Sequence, residues 1–182
     1  MVLKKRFAWG ITGSGHEIAE IFNTMKSFTT KHEDIDVRIF ISKSGEQVLR
    51  WYRLIDDLKT SFNRVRVEDS PNTPFLAGEL QSGKYDFLLV APTSSNSTAK
   101  IALGIGDTLI TNAVNMATKA RVPVYVYPCE VGDVETTLPN GQVLRLDKRK
   151  IDVDYIEAIE RDAGTHLLKN IEEIKNILED YY

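Results

Sequence analysis

At 182 residues, 42% apolar and 27% charged with a formal net charge of −3, the chain has the make-up of an ordinary soluble globular protein, able to bury its core in a single domain over residues 1–182. No apolar run approaches the ~20 residues of a membrane span, and the negative balance gives no reason to expect nucleic acid. The single cysteine, Cys129, excludes an internal disulfide framework and an all-cysteine zinc or iron–sulfur site, and fits a cytoplasmic location.

In chain order, Met1 to Arg6 is basic, but the Gly-rich segment after it is too short for a signal peptide. A first strand is expected over Arg6–Thr12, running into Gly13-Ser14-Gly15. Ile18, Ile21, Phe22, Met25 and Phe28 then make one face of a helix. A second strand, Val37–Ile41, stops at Ser42-Lys43-Ser44, with Ser44 expected to cap a helix through Val48, Leu49 and Tyr52. Residues 60–75 are irregular, with a short strand over Arg64–Val67, a loop at Pro71 and Pro74, and a short helix from Phe75 to Gln81. The apolar run Phe87–Ala91 reads as a strand buried on both faces. A polar turn, Pro92 to Thr98, follows it. Helices are expected over Thr98–Leu103 and Asp107–Ala120, the second capped by Asp107. Val122–Tyr127 is another strand, and Asn140-Gly141 signals a hairpin. Two helices close the chain, the last with Leu167, Ile171, Ile174, Leu178 and Tyr181 on one face.

Strands alternating with helices imply an α/β fold with a doubly wound parallel sheet and a ligand site at the carboxyl ends of the strands. Three of those ends carry small polar residues: Gly13-Ser14-Gly15, Ser42-Lys43-Ser44, and Ser94-Ser95-Asn96-Ser97-Thr98. Hydroxyl-rich turns at helix N-termini make anion sites, because free N–H groups and the positive end of the helix dipole meet there. The glycine spacing is not the dinucleotide fingerprint, the second strand ends at Ser42 rather than at an acid, and no Walker sequence occurs. Such turns suit a terminal phosphate monoester, and flavin mononucleotide (FMN) is the obvious cofactor of that kind. The glycine turn equally serves close helix–strand packing, and Ser42 and Ser44 equally serve as turn and cap residues. His16, His32 and His166 lack metal spacing, so no metal is expected. The run Arg145–Lys150 reads as a solvated face, with an acidic electron carrier as the partner it would suit.

Pro92-Thr93-Ser94-Ser95-Asn96-Ser97 and the helix through Asp107-Thr108-Leu109 resemble the P-A-S-A-N-T segment and following helix of the homo-oligomeric flavin-containing cysteine decarboxylase family. The likeness extends to Gly10–Ser14 and Ile41–Ser44. It implies a Rossmann-like flavoprotein, a three-layer sandwich assembling as trimers or multiples of trimers with FMN near a subunit interface. It also implies that Gly13, Ser14, Gly15, Ser42, Ser44, Ser94, Ser95, Ser97 and Thr98 surround the phosphate and ribityl chain and that Asn96 meets the ring edge. Asn112 stands where the prenyl-transferring relatives have an arginine and is carried as a cofactor-side residue. The decarboxylases' catalytic histidine falls at about Gly78, and their substrate loop is replaced by Pro128-Cys129-Glu130-Val131-Gly132-Asp133. No catalytic side chain is therefore assigned. The pattern is similar to the archaeoflavoprotein and dihydromethanopterin-reductase branch, which implies electron transfer from a ferredoxin-like carrier to an acceptor such as a pterin. A flavin-dependent decarboxylase or prenyl-flavin-type transferase, and a non-enzymatic flavin-binding or regulatory subunit, are the alternatives. His16, Trp51-Tyr52 and Cys129 are further candidates for flavin contact, with a helix-start role for His16, core or interface packing for the aromatics and an inert buried thiol as the alternatives.

Overall fold

The computed structural model describes residues 5–131 and 135–182; the expectations placed on Met1–Lys4 and on Gly132-Asp133 lie outside them. Strands β1 (Arg6–Ile11), β2 (Asp36–Ile41), β3 (Val65–Val67), β4 (Leu88–Thr93) and β5 (Val124–Pro128) are joined by a late strand, β8 (Thr165–Leu167), in one parallel sheet. Its order is β3-β2-β1-β4-β5-β8, with β6 (Glu135–Thr137) and β7 (Val143–Arg145) forming a separate antiparallel hairpin. This is the doubly wound, Rossmann-like arrangement expected from the sequence.

Two apolar layers cover the sheet. Phe7, Trp9 and Ile11 of β1 face helices α1 (Ile18–Lys31), α2 (Lys43–Trp51) and α3 (Ile55–Ser61), and the C-terminal α8 (Ile171–Tyr181) completes that layer. Ala8, Phe40, Leu88 and Val90 face α4 (Leu76–Gln81), α5 (Ser95–Ala102), α6 (Leu109–Lys119) and α7 (Lys150–Glu160). Alternation along β1 sets how close each layer comes: large side chains point one way, and Ala8 and Gly10 the other. A Cβ on Gly10 would stand 3.1 Å from Ile110 Cδ1, so α6 lies close against the strand. All six residues of β4 are buried, as a strand covered on both faces requires.

β1 leads into α1 on one face and β4 into α5 on the other. Their adjacent carboxyl ends therefore form the point where the strand order reverses, and a crevice opens there.

Several local expectations shift. β4 continues through Pro92-Thr93, and α5 begins at Ser95, so Ser95, Asn96 and Ser97 form its first turn rather than a loop before it. Ser42, not Ser44, caps α2: its extended backbone lets Oγ accept from Gly45 N at 3.0 Å. Thr108, not Asp107, caps α6 in a reciprocal box with Thr111, and the Asp107 carboxylate pairs with Lys100 at 2.9 Å instead. Leu167 lies on β8 rather than on the face of the last helix. Among the described residues no helix is long and apolar enough to cross a membrane.

Candidate functional site

Thr12 ties the crevice together. Its Oγ1 donates to Pro92 O at 2.9 Å and accepts from Ser94 N at 2.8 Å, locking the end of β1 to the end of β4. Ser42 N donates to Ile11 O at 3.0 Å, which brings in the end of β2. The glycine turn fits between these ends with no room to spare. A Cβ on Gly13 would stand 2.6 Å from Ser44 Cβ, and one on Gly15 would collide with the Tyr52 phenol. On the far side, the Ser14 and Ser95 hydroxyls flank the Cys129 thiol, Ser95 Oγ at 3.8 Å. The structure thus gathers Gly13, Ser14, Gly15, Ser42, Ser44 and the run Ser94–Thr98 at one corner of the sheet.

That corner has more donors than intrachain acceptors. Ser94 Oγ takes Ser97 N at 3.3 Å, yet the N–H groups of Ser95 and Asn96 have no acceptor among the described residues, nor has that of Ser44 in the first turn of α2. These groups sit at the positive ends of two helices. Thr98 is 2% exposed and its Oγ1 has no hydrogen-bond partner among the described residues; the buried His16 is likewise unpartnered among them at Nδ1. Native interiors rarely leave buried polar atoms unpaired without a ligand or water to meet them. The arrangement is a cradle for an anion approached by backbone amides and short hydroxyls.

The surroundings of Cys129 disfavour a thiolate. Burial, with the Glu130 carboxyl beside it, pushes the Cys129 thiol up to about 11. Burial also raises Glu130, whose Oε2 is unpartnered. At neutral pH the thiolate fraction should be ~100-fold below that of an ordinary cysteine, so iodoacetamide at pH 7.5 should label Cys129 more slowly than a model thiol by about that factor. Labelling at the model rate, followed by mass spectrometry, would contradict the assignment.

Asn112 is tied to the loop before α4. Its amide donates to Pro71 O at 3.1 Å and Asn72 Oδ1 at 3.0 Å, holding the 69–75 loop on α6. Tyr52 packs at the glycine turn and donates to Thr137 O at 2.9 Å, whereas Trp51 is exposed. In the basic run, Arg145 pairs with Glu135, Arg149 with Asp152 and Lys150 with Asp154. At the position of the decarboxylase histidine, the Phe75 ring lies directly over Gly78, in the space a side chain there would need. Among the described residues no three acidic, histidine or cysteine side chains are grouped to hold a metal ion.

Two features escaped the sequence reading. Glu68, 9% exposed, spans two helix N-termini: Oε2 accepts from Lys43 N at 3.0 Å and Oε1 from Leu109 N at 2.8 Å. Tyr127 donates to the Glu17 carboxylate, which lies 3.7 Å from His16 Nε2. An acid directly after a short strand was the only linear signal for the first. The second joins residues 110 positions apart and left none.

The sequence profile described as "Flavoprotein" matches residues 1–180. An uncharacterised protein of Methanocaldococcus jannaschii is 46% identical over 95% of this chain and 94% of its own. A dihydromethanopterin reductase (acceptor) of Methanosarcina mazei is 36% identical over 74% of this chain, a match spanning only 59% of that protein's length. Among solved structures, DmrB of Burkholderia xenovorans in complex with FMN, described as a cubic protein cage for redox transfer, superposes with a TM-score of 0.84. It is 31% identical, over 99% of this chain and 96% of that one.

Proposed function

The chain belongs to the flavoprotein family, and from that premise we propose that it binds FMN and acts in electron transfer, taking electrons from a ferredoxin-like carrier and passing them to an acceptor of the dihydropterin type. The observation that carries this reading is the convergence of three hydroxyl-bearing strand ends on one switch-point crevice, with Thr98 Oγ1 and three first-turn N–H groups still unpartnered. The donor set fits a phosphate monoester. Gly13 and Gly15 keep the turn free of side chains, and Ser14, Ser42, Ser94, Ser95, Ser97 and Thr98 ring it with hydroxyls. Ser44 would contribute its N–H, which has no acceptor among the described residues, and the exposed Asn96 would meet the ring edge. Asn112 acts one step removed, by fixing the loop at Pro71-Asn72. Flavin supplies one- and two-electron chemistry when bound, and the protein's part is position, electrostatics and exclusion of water. With Phe75 over Gly78 and no histidine there, decarboxylation has no acid–base group at the expected place. Exposed apolar side chains at Trp51, Phe75, Leu103 and Ile105 supply surface for self-association into trimers or multiples of trimers.

Purified protein should be yellow and release FMN on denaturation, and its bound flavin should be reduced rapidly by reduced ferredoxin in a stopped-flow experiment. A colourless protein that takes up no added FMN would overturn the reading. Ser94→Ala should weaken FMN retention by roughly 1.5–3 kcal/mol, the cost of losing a hydrogen bond to a charged group, and Asn96→Ala by roughly 0.5–1.5 kcal/mol, that of a neutral one. Ser94→Ala should also cost ~1 kcal/mol of stability through the lost cap of α5. Unchanged affinity in both variants would move the site elsewhere.

A further inference from the structure

We propose that His16 is a further anion-binding residue of the cradle, its Nδ1 hydrogen-bonding the phosphoryl group seated on the Gly13–Gly15 turn, with Glu17 and Tyr127 as the positioning residues that aim it. The proposal rests on the FMN assignment above and adds to it a side chain outside the three hydroxyl turns.

His16 is 6% exposed, and its Nδ1 has no hydrogen-bond partner among the described residues. Leaving a ring nitrogen dry and unpaired is costly unless something meets it. The surroundings say which side that something occupies. His16 N donates to Ser14 Oγ at 3.2 Å, so the residue is anchored to the hydroxyl at the centre of the glycine turn. The other ring nitrogen is spoken for: Nε2 faces the Glu17 carboxylate at 3.7 Å, and the Tyr127 ring lies alongside, centroids 5.9 Å apart. Glu17 is itself fixed by the Tyr127 hydroxyl. Its backbone adopts φ 47°, ψ 21°, a left-handed conformation that is strained for a non-glycine residue and persists only where its surroundings enforce it.

The chain Tyr127–Glu17–His16 runs from the end of β5 to the start of α1 and terminates at a residue whose backbone N–H is held by Ser14 of the anion turn. An Nδ1–H on this ring would add an imidazole donor to a cradle otherwise built of backbone amides and hydroxyls.

Affinities for FMN and for riboflavin, which lacks the phosphate, measured by fluorescence quenching on the intact protein, separate this role from packing. His16→Phe keeps ring volume and removes the donor, and His16→Asn keeps a donor near the Nδ1 position. The expected result is a loss of FMN affinity of ~10-fold or more in His16→Phe, riboflavin affinity unchanged within about twofold, and His16→Asn recovering most of the FMN affinity. Tyr127→Phe should show a smaller loss, again confined to FMN. Equal loss of both ligands in His16→Phe would make the ring a packing element and overturn the proposal, as would unchanged FMN binding by a folded variant. If His16→Phe fails to fold, His16→Leu takes its place in the same comparison: a loss confined to FMN supports the proposal, and equal loss of both ligands or unchanged FMN affinity overturns it. Wild-type protein that binds no FMN would instead overturn the cofactor assignment itself.

Discussion

Replacing Glu68 with alanine is expected to remove about 3–5 kcal/mol of unfolding free energy and to weaken FMN binding in the same variant. Each carboxylate oxygen accepts a backbone N–H from the first residue of a helix, Lys43 of α2 and Leu109 of α6. Hydrogen bonds to a charged group contribute roughly 1.5–3 kcal/mol each, and truncation leaves two donors enclosed without an acceptor. The carboxylate also sits at the positive ends of both helices, where negative charge is favoured. The coupling to binding follows from what α2 carries: Ser42 and Ser44 open that helix, and Gly13 rests against it. Glu68→Gln should lie between wild type and Glu68→Ala, because its amide keeps one acceptor oxygen and turns an NH2 toward the other N–H. Urea titration of the three proteins measures the ladder. An alanine variant with the wild-type midpoint and slope would show that water satisfies the two helix ends as well as the carboxylate does.

The course of β4 and its crevice could be read from the sequence because their signals are contiguous: an unbroken apolar run, then hydroxyl residues in succession. Helix starts were misplaced in both directions, that of α5 three residues late and that of α6 two residues early. In Ser42-Lys43-Ser44 two serines compete for the cap, and the choice falls to whichever residue ends the strand in extended backbone, which is Ser42. At Asp107-Thr108 the aspartate lost to a threonine whose partner three residues on, Thr111, closes a box. The missed strand β8 has three residues, and Leu167 stands four before Ile171, imitating one helical face. Asn170 breaks that register by capping α8 through Glu173 N at 3.0 Å. Helix α3 offers only Ile55 and Leu58 as buried residues in seven positions, too few for a periodic signal. Glu68 could not be read at all, since its partners lie 25 and 41 residues away and a lone acid has no pattern. Tertiary pairing decides such residues, and the crevice depends on one of them.

Gly13→Ala is expected to abolish most FMN binding, at least tenfold in affinity, and to cost about 1–3 kcal/mol of stability, the usual penalty for overpacking. The added methyl would stand 2.6 Å from Ser44 Cβ, a separation real side chains do not tolerate, with the next nearest atoms, Ser44 C and Cα, at 3.4 and 3.6 Å. The first turn of α2 is held by Ser42 and Glu68, so the glycine turn has to yield instead, and with it Ser14 and the amides aimed at the cradle. Because one atom of one side chain makes the collision, removing that atom should undo it. Gly13→Ala combined with Ser44→Gly should recover both stability and FMN affinity to near the level of Ser44→Gly alone, a coupling a double-mutant cycle reads directly. Recovery would establish that Gly13 is required for the approach of the first two strand ends. If the two effects simply add, the methyl acts on the cofactor or on the turn's backbone, and the contact between the β1–α1 turn and α2 is not what shapes the cradle.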